Sequence, residues 1–578
     1  MSNAAGRRAV SLRTPSARRT SGIAAALAAV TCFSCGTTVS LPPDLVLHSG
    51  KITTVNARFD VADALAIRAG RIVAVGLDRN IMTLRGPGTR MIDLQGRTVV
   101  PGLIDSHSHV TSYGMHVFRP DLSKATSVAE IMALIKAKVE ASTPGEWVTN
   151  SRIWNETKLE ERRSPTRFDL DPISPSNPVY LSRGHLGVIN SAAMKVLGIT
   201  DRTPDPPGGT LERDTTTGQL TGRLYETALD LVTAVLPEPS SDQQMEAQRQ
   251  AYRELAAAGV TSVRSASENA DAMRAFLALR ARGELALRTS VMIRLNPNRP
   301  APELEKLLKD APVSSGLGDD MLNVWGVKMV ADGGSDLALL RKDYANRLGF
   351  RGQAGGTRES FTTAVRLCNK YGWRVGIHAL GDAAIDLVLD AYEAADRDSP
   401  IAGKRWSIEH GYLLQPDQYH RLKRLTVMLH PQTWHLFNLR RNFVENYGRE
   451  YADRSHPYQT LLGHGIPIAG GMDWPVEPRD PFFYMWVEIT RSTIDGEVVG
   501  PEQALTREDA LRLHTIWAAY STFEETVKGS LEEGKLADLV VLSDDYLTVP
   551  EERIKTITPL LTMVGGKIVF KKDGQIVP

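Results

Sequence analysis

Short apolar runs alternate with amphipathic stretches through the middle of this chain, and that alternation is the first thing its sequence offers. Eight runs recur, at 103–110, 260–266, 289–295, 324–330, 374–380, 405–410, 426–430 and 466–473. Helical patterns separate most of them, at 248–258, 270–281, 358–371, 383–395 and 416–425. Strands joined by crossover helices form parallel sheets, and eight such alternations predict a (β/α)8 TIM barrel. The stretch 111–245 is too long for one crossover, so it reads as an insertion over the barrel mouth. Residues 44–100 and 520–578 have a different texture, with short β runs broken by Gly and Asn. The two ends predict one composite β-sandwich, and 101–519 the barrel with its insertion.

Residues 1–43 stand apart as a leader. Arg7, Arg8, Arg13, Arg18 and Arg19 precede any acidic residue, and the apolar run 22–30 follows them. That run is shorter than the ~20 residues a membrane-spanning helix needs. A basic start and a short apolar core predict an export signal, with Arg18-Arg19 similar to a twin-arginine signal. Ser34-Cys35-Gly36 resembles a lipoprotein cleavage site, which would put a lipid on Cys35 and the protein in the periplasm or outer envelope of a bacterium. An ordinary cleaved signal and a disordered leader with no targeting role are the other readings, and a lipid on Cys35 would be the chain's sole membrane contact. Cys368 is the one thiol of the body, which excludes a disulfide inside the mature chain if the leader is removed. Its apolar neighbours predict a buried thiol on a helix.

The composition excludes little else. A chain of 578 residues, 42% hydrophobic and with net charge +1, makes no electrostatic case for nucleic acid. It has no phosphate loop and no dinucleotide fingerprint. A small molecule is the expected partner. The oligomeric state stays open between a single chain and a homodimer.

The chemistry lies at the ends of the apolar runs. His107 and His109 end the first, and side chains at i and i+2 of a strand point the same way. Lys328 sits in the fourth run, His378 in the fifth, His410 in the sixth and Asp473 in the eighth. Barrel strands otherwise read as apolar on both faces, and catalytic groups gather at their C-terminal ends. Imidazoles there would hold one or two divalent ions, zinc being the expected one. Such an ion lowers the pKa of a bound water, and Asp473 would accept the proton and return it to the leaving group. This predicts metal-assisted hydrolysis of an acyl bond. From the residues alone, Lys328 reads either as a carbamate bridging two ions or as a cation paired with Asp332.

The segments 100–109, 327–333, 376–382, 408–410, 470–476 and 529–540 resemble the amidohydrolase superfamily. Within it they are similar to the YtcJ-like branch that includes N-substituted formamide deformylases. The resemblance runs from about residue 44 to the end. It implies His107, His109, His378 and His410 as ligands, a carboxylated Lys328 as bridge, Asp473 as ligand and general base, and a non-peptide carbon–nitrogen bond as target. An ester, lactone or cyclic amide, or an inactive exported binding barrel, are the alternatives. Arg183-Gly184-His185 also resembles a family segment, making His185 a substrate-side catalytic candidate. Met472 replaces the usual Ser, and 261–265 lacks an acidic residue often found there; both departures bear on the pocket. His430, His435, Trp154, Tyr113 and Trp474 are further pocket candidates.

Overall fold

A computed structural model describes residues 41–574 except 113–117, 152, 184–185, 207–208, 238 and 476–478. Residues 1–40 of the leader, with the export and lipid-anchor expectations at Arg18, Arg19 and Cys35, lie outside the described residues, as do Tyr113 and His185.

Seven parallel strands form the barrel wall in chain order: β1 (Leu103–Ser108), β2 (Val260–Glu268), β3 (Arg288–Arg294), β4 (Leu322–Val330), β5 (Val375–Ala379), β6 (Ser407–His410) and β7 (Met428–His430). The eighth predicted run closes the wall without becoming a regular strand. It meets β7 through the bridge Leu429–Ile468 and β1 through Ser108–Trp474. The backbone bonds Ser106 N to Gly470 O (3.1 Å) and Asp473 N to His107 O (2.8 Å) complete the seam. The reason is steric. A Cβ at Gly471 would come within 2.8 Å of the His107 Cβ, and one at Gly470 within 2.6 Å of the His514 ring. The glycines let the run lie tight on β1, and Asp473, at φ +51°, then turns out of the ladder.

The barrel interior departs from the apolar expectation. Ser106, Arg264, Ser407, Glu409 and His430 fill it, all buried and all hydrogen-bonded to one another or to backbone. The apolar faces of the strands point outward against the helices.

Both termini build the sandwich. One sheet orders Lys567–Lys571, Pro559–Val564, Leu539–Leu542, Thr98–Pro101, Lys51–Thr53 and Val61–Ala62. The other orders Arg71–Gly76, Ala64–Arg68, Leu45–His48 and Arg90–Asp93. Period-two alternation explains why the central pair is apolar throughout. Val99 and Val541 face the sandwich core, while their neighbours Val100 and Val540 join the barrel core. The insertion leaves the C-terminal end of β1 and carries its own five-stranded sheet, ordered Gly209–Arg213, Leu220–Glu226, Leu186–Ile189, Val179–Arg183 and Val148–Thr149. Among the described residues, no helix is long and apolar enough to cross a membrane.

Cys368 lies on the helix Arg358–Lys370, where Phe361, Ala364, Val365 and Cys368 share the buried stripe. Burial pushes its thiol well above the usual range, and the thiolate is the reactive form. Cys368 is therefore expected to resist alkylation in the folded chain and to react once guanidinium unfolds it. Mass spectrometry of the peptide bearing it checks this; equal labelling in both states would refute the packing.

Candidate metal centre

Strand alternation puts His107 and His109 on one side of the β1 tip, their ring centroids 5.3 Å apart. His410, at the end of β6, lies 5.0 Å from His107, and His378, at the end of β5, lies 4.4 Å from His410. Asp473 completes the ring from the eighth run. Its Oδ1 is 3.1 Å from His109 Nε2 and 3.5 Å from His107 Nε2. Donor atoms of His107, His109 and Asp473 all lie within 4.8 Å of one another. Lys328, on β4, points its Nζ to 3.3 Å from His107 Nε2. The six residues named from strand ends thus converge on one mouth.

Each imidazole is tied on its outer side. His107 Nδ1 donates to Glu409 Oε2 (2.5 Å) and His109 Nδ1 to the Ala266 carbonyl (3.0 Å). His378 Nε2 donates to the Gly333 carbonyl (3.2 Å) and His410 Nδ1 to Gln432 Oε1 (2.5 Å). Gln432 is oriented by its own amide, which donates to the His430 carbonyl at 2.6 Å. Carbonyl and carboxylate oxygens only accept, so each outer nitrogen carries the hydrogen and the other keeps its lone pair. This is the arrangement outer partners impose on metal-ligating histidines.

The electrostatics agree with a cation here. Asp473 Oδ1 is buried and has no hydrogen-bond donor. It faces the His109 nitrogen that the Ala266 bond leaves without a hydrogen. Two lone pairs at that separation need a positive charge, either a second proton on His109 or a metal ion. Burial opposes ionisation of Asp473, and a proton on His109 bonded to the carboxylate would outweigh it and hold the carboxyl below the ordinary range. Burial, helped by Lys328, pushes His107 down to about 4 and His378 down to about 3. Neutral imidazoles at His107 and His378 beside a carboxylate are donor states a divalent ion requires. The residues fit such an ion.

Lys328 is not paired with Asp332. The Asp332 carboxylate accepts instead from the backbone of Leu339 (3.0 Å), Leu380 (3.0 Å) and Gly381 (2.9 Å), and lies 3.4 Å from His378 Nε2. Lys328 is 2% exposed, and burial pulls its amine down to about 8.

The other pocket candidates fall elsewhere. Trp154 is buried in the insertion core, its Nε1 donating to Ser164. Trp474 and Met472 pack with Val110 and Tyr484, so the departure at 472 falls in an apolar layer rather than in the pocket. His430 sits beneath the mouth, against Ser106 Oγ at 2.9 Å. His435 is half-buried near the rim, 2.9 Å from Tyr412 Oη. His185 lies outside the described residues.

Sequence reasoning passed over Glu409, Arg264, Gln432 and Asp105. Glu409 was legible as the acid beside His410, but alternation would aim it the other way. His410 has φ +75°, which breaks the alternation and lets consecutive residues both serve the mouth. Asp105 accepts from His107 N (3.1 Å) and Met472 N (2.8 Å), tying β1 to the eighth run, and burial pushes it up to about 7.

The fold and its donors define a class, the parallel α/β barrels with a candidate metal centre at the mouth. The chain belongs to the amidohydrolase family, whose sequence model matches residues 90–570. It is 32% identical over 545 residues to Protein LONG AFTER FAR-RED 3 of Arabidopsis thaliana, covering 91% of each chain. It is 28% identical to the N-substituted formamide deformylase of Arthrobacter pascens, over 92% of this chain and 99% of that one. An uncharacterized metal-dependent hydrolase from Pyrococcus furiosus superposes with TM-score 0.72 at 27% identity, over 87% of this chain and all of the other.

Proposed function

We propose that this chain is a metal-dependent hydrolase of a non-peptide carbon–nitrogen bond of the amide or formamide type. The observation that carries the reading is the tethering of the outer nitrogens of His107 and His109, which leaves the inner nitrogen of each, 3.5 and 3.1 Å from Asp473 Oδ1, as a lone-pair donor, with His378 and His410 tethered alike beside them. The formamide deformylase among its relatives supports the bond type. His107, His109, His378 and His410 would hold one or two divalent ions, zinc being the expected one. Carboxylated at Nζ by CO2 with loss of a proton, Lys328 would offer a carbamate, one negative charge shared by two oxygens, as a further ligand. When bound, the ion supplies Lewis acidity that acidifies water and polarises a carbonyl. Asp473 takes the proton of the attacking water on its carboxylate and passes it to the departing nitrogen. His185 is proposed to contact substrate.

A panel of N-formyl amines, with esters and lactones as comparison, tests this on the metal-loaded protein. Hydrolysis of the formyl amines is expected, lost on chelation and restored by Zn2+ or Co2+. Turnover of esters or lactones alone would move the scissile bond. No turnover of any member with metal bound would leave a binding barrel instead.

A further inference from the structure

We infer that Glu409, clamped by Arg264, is a positioning residue that fixes His107 and strengthens its hold on the cation; the inference rests on the metal reading above. Three of the four imidazoles lean on neutral oxygens: the Ala266 and Gly333 carbonyls and the Gln432 amide. His107 is the one of the four with a carboxylate at close hydrogen-bond distance, 2.5 Å, whereas Asp332 stands 3.4 Å from His378 Nε2. A carboxylate behind an imidazole orients the ring and makes its other nitrogen a better donor.

The clamp leaves Glu409 no freedom. Arg264 Nη2 donates to both oxygens, at 2.8 and 2.6 Å, and Ser407 Oγ donates to Oε1 at 2.6 Å. His107 completes four hydrogen bonds, from three donor groups, to two oxygens, about the full capacity of a carboxylate. Arg264 is fixed in turn by its Nε bond to the Ser106 carbonyl (2.7 Å) and by the Trp325 ring, 4.6 Å beneath the guanidinium. Both charged side chains are fully buried. Arg264 balances the charge of Glu409 inside the barrel, so the carboxylate can lie next to the site without drawing a cation away from it. That role explains why a strand facing the interior carries an arginine where an apolar residue was expected.

The test uses the full chain loaded with Co2+. Two variants are compared with it, the near-isosteric Glu409→Gln and the double variant Arg264→Met/Glu409→Leu, which removes the buried pair without stranding either charge. Both are expected to release Co2+ to excess chelator about 10–100-fold faster, with a changed visible absorption spectrum. The thermal midpoint of the metal-free double variant should stay near that of the parent. A pair serving only the fold would leave release and spectrum as they are, and that result overturns the inference. If the double variant does not fold, Glu409→Gln decides by the same two readouts. A parent chain that takes up no Co2+ sinks the metal reading itself, which is a different outcome from a parent and variants that bind alike.

Discussion

Replacing Asp473 by Asn is expected to lower turnover of the best formyl amine by about 10³-fold, within the range for losing a positioned acid–base group. Asn is the informative substitution for a structural reason. Asp473 sits at φ +51°, in the left-handed region that Asn and Asp enter more readily than other side chains. Its backbone also donates to the His107 carbonyl, an interaction Asn keeps. An alanine would add backbone strain and confuse the result. What Asn removes is the negative charge on an atom 3.1 Å from His109 Nε2, and with it the ability to take a proton from water. Circular dichroism should show the parent fold, and kcat rather than KM should carry the loss. A variant retaining more than roughly a tenth of the parent rate would be incompatible with proton transfer through this carboxylate, given the ~10²–10⁴-fold such groups contribute.

The sequence made the barrel legible because its signal is periodic. Each strand buries its outer face under a helix, and that apolar face repeats along the chain. The set at the mouth was legible for the same reason, since polar residues at the ends of apolar runs stand out. What escaped was set by single backbone angles and close approaches. His410 at φ +75° lets Glu409 and His410 serve one site, against the alternation a strand implies. The Gly470-Gly471 pair seats the eighth run against β1, with one isolated bridge to β1 and one to β7, where a pattern of apolar residues suggested a full strand. Asp332 is four residues from Lys328, a spacing that invites an ion pair. Backbone amides of the loops after β4 and β5 claim it instead. The polar interior of the barrel escaped for a related reason, because a buried arginine reads as an exposed one until its acceptors are known. The insertion's sheet was hidden by short strands within a segment rich in turns.

Asp538 is another residue whose role only the folded chain reveals, and its removal is the largest stability loss we expect. Arg288, at the start of β3, forks onto it through Nε at 2.6 Å and Nη2 at 2.9 Å. The pair is about 5% exposed and joins the barrel to the sandwich. Asp538 also accepts from Gly565 N (2.7 Å), which holds the turn between the last two strands. Arg288 in turn donates to the Asp320 carbonyl at 3.0 Å. Asp538→Ala would leave the guanidinium buried without its anion and the Gly565 amide without its acceptor. Losing one partner of a buried pair costs about 3–5 kcal/mol, and denaturant unfolding followed by circular dichroism should show that loss. The double variant Arg288→Met/Asp538→Leu should recover most of it, because desolvating two charges offsets much of what their attraction contributes. Equal losses in the single and the double variant would mean that the turn bond at Gly565, and not the ion pair, joins the two layers.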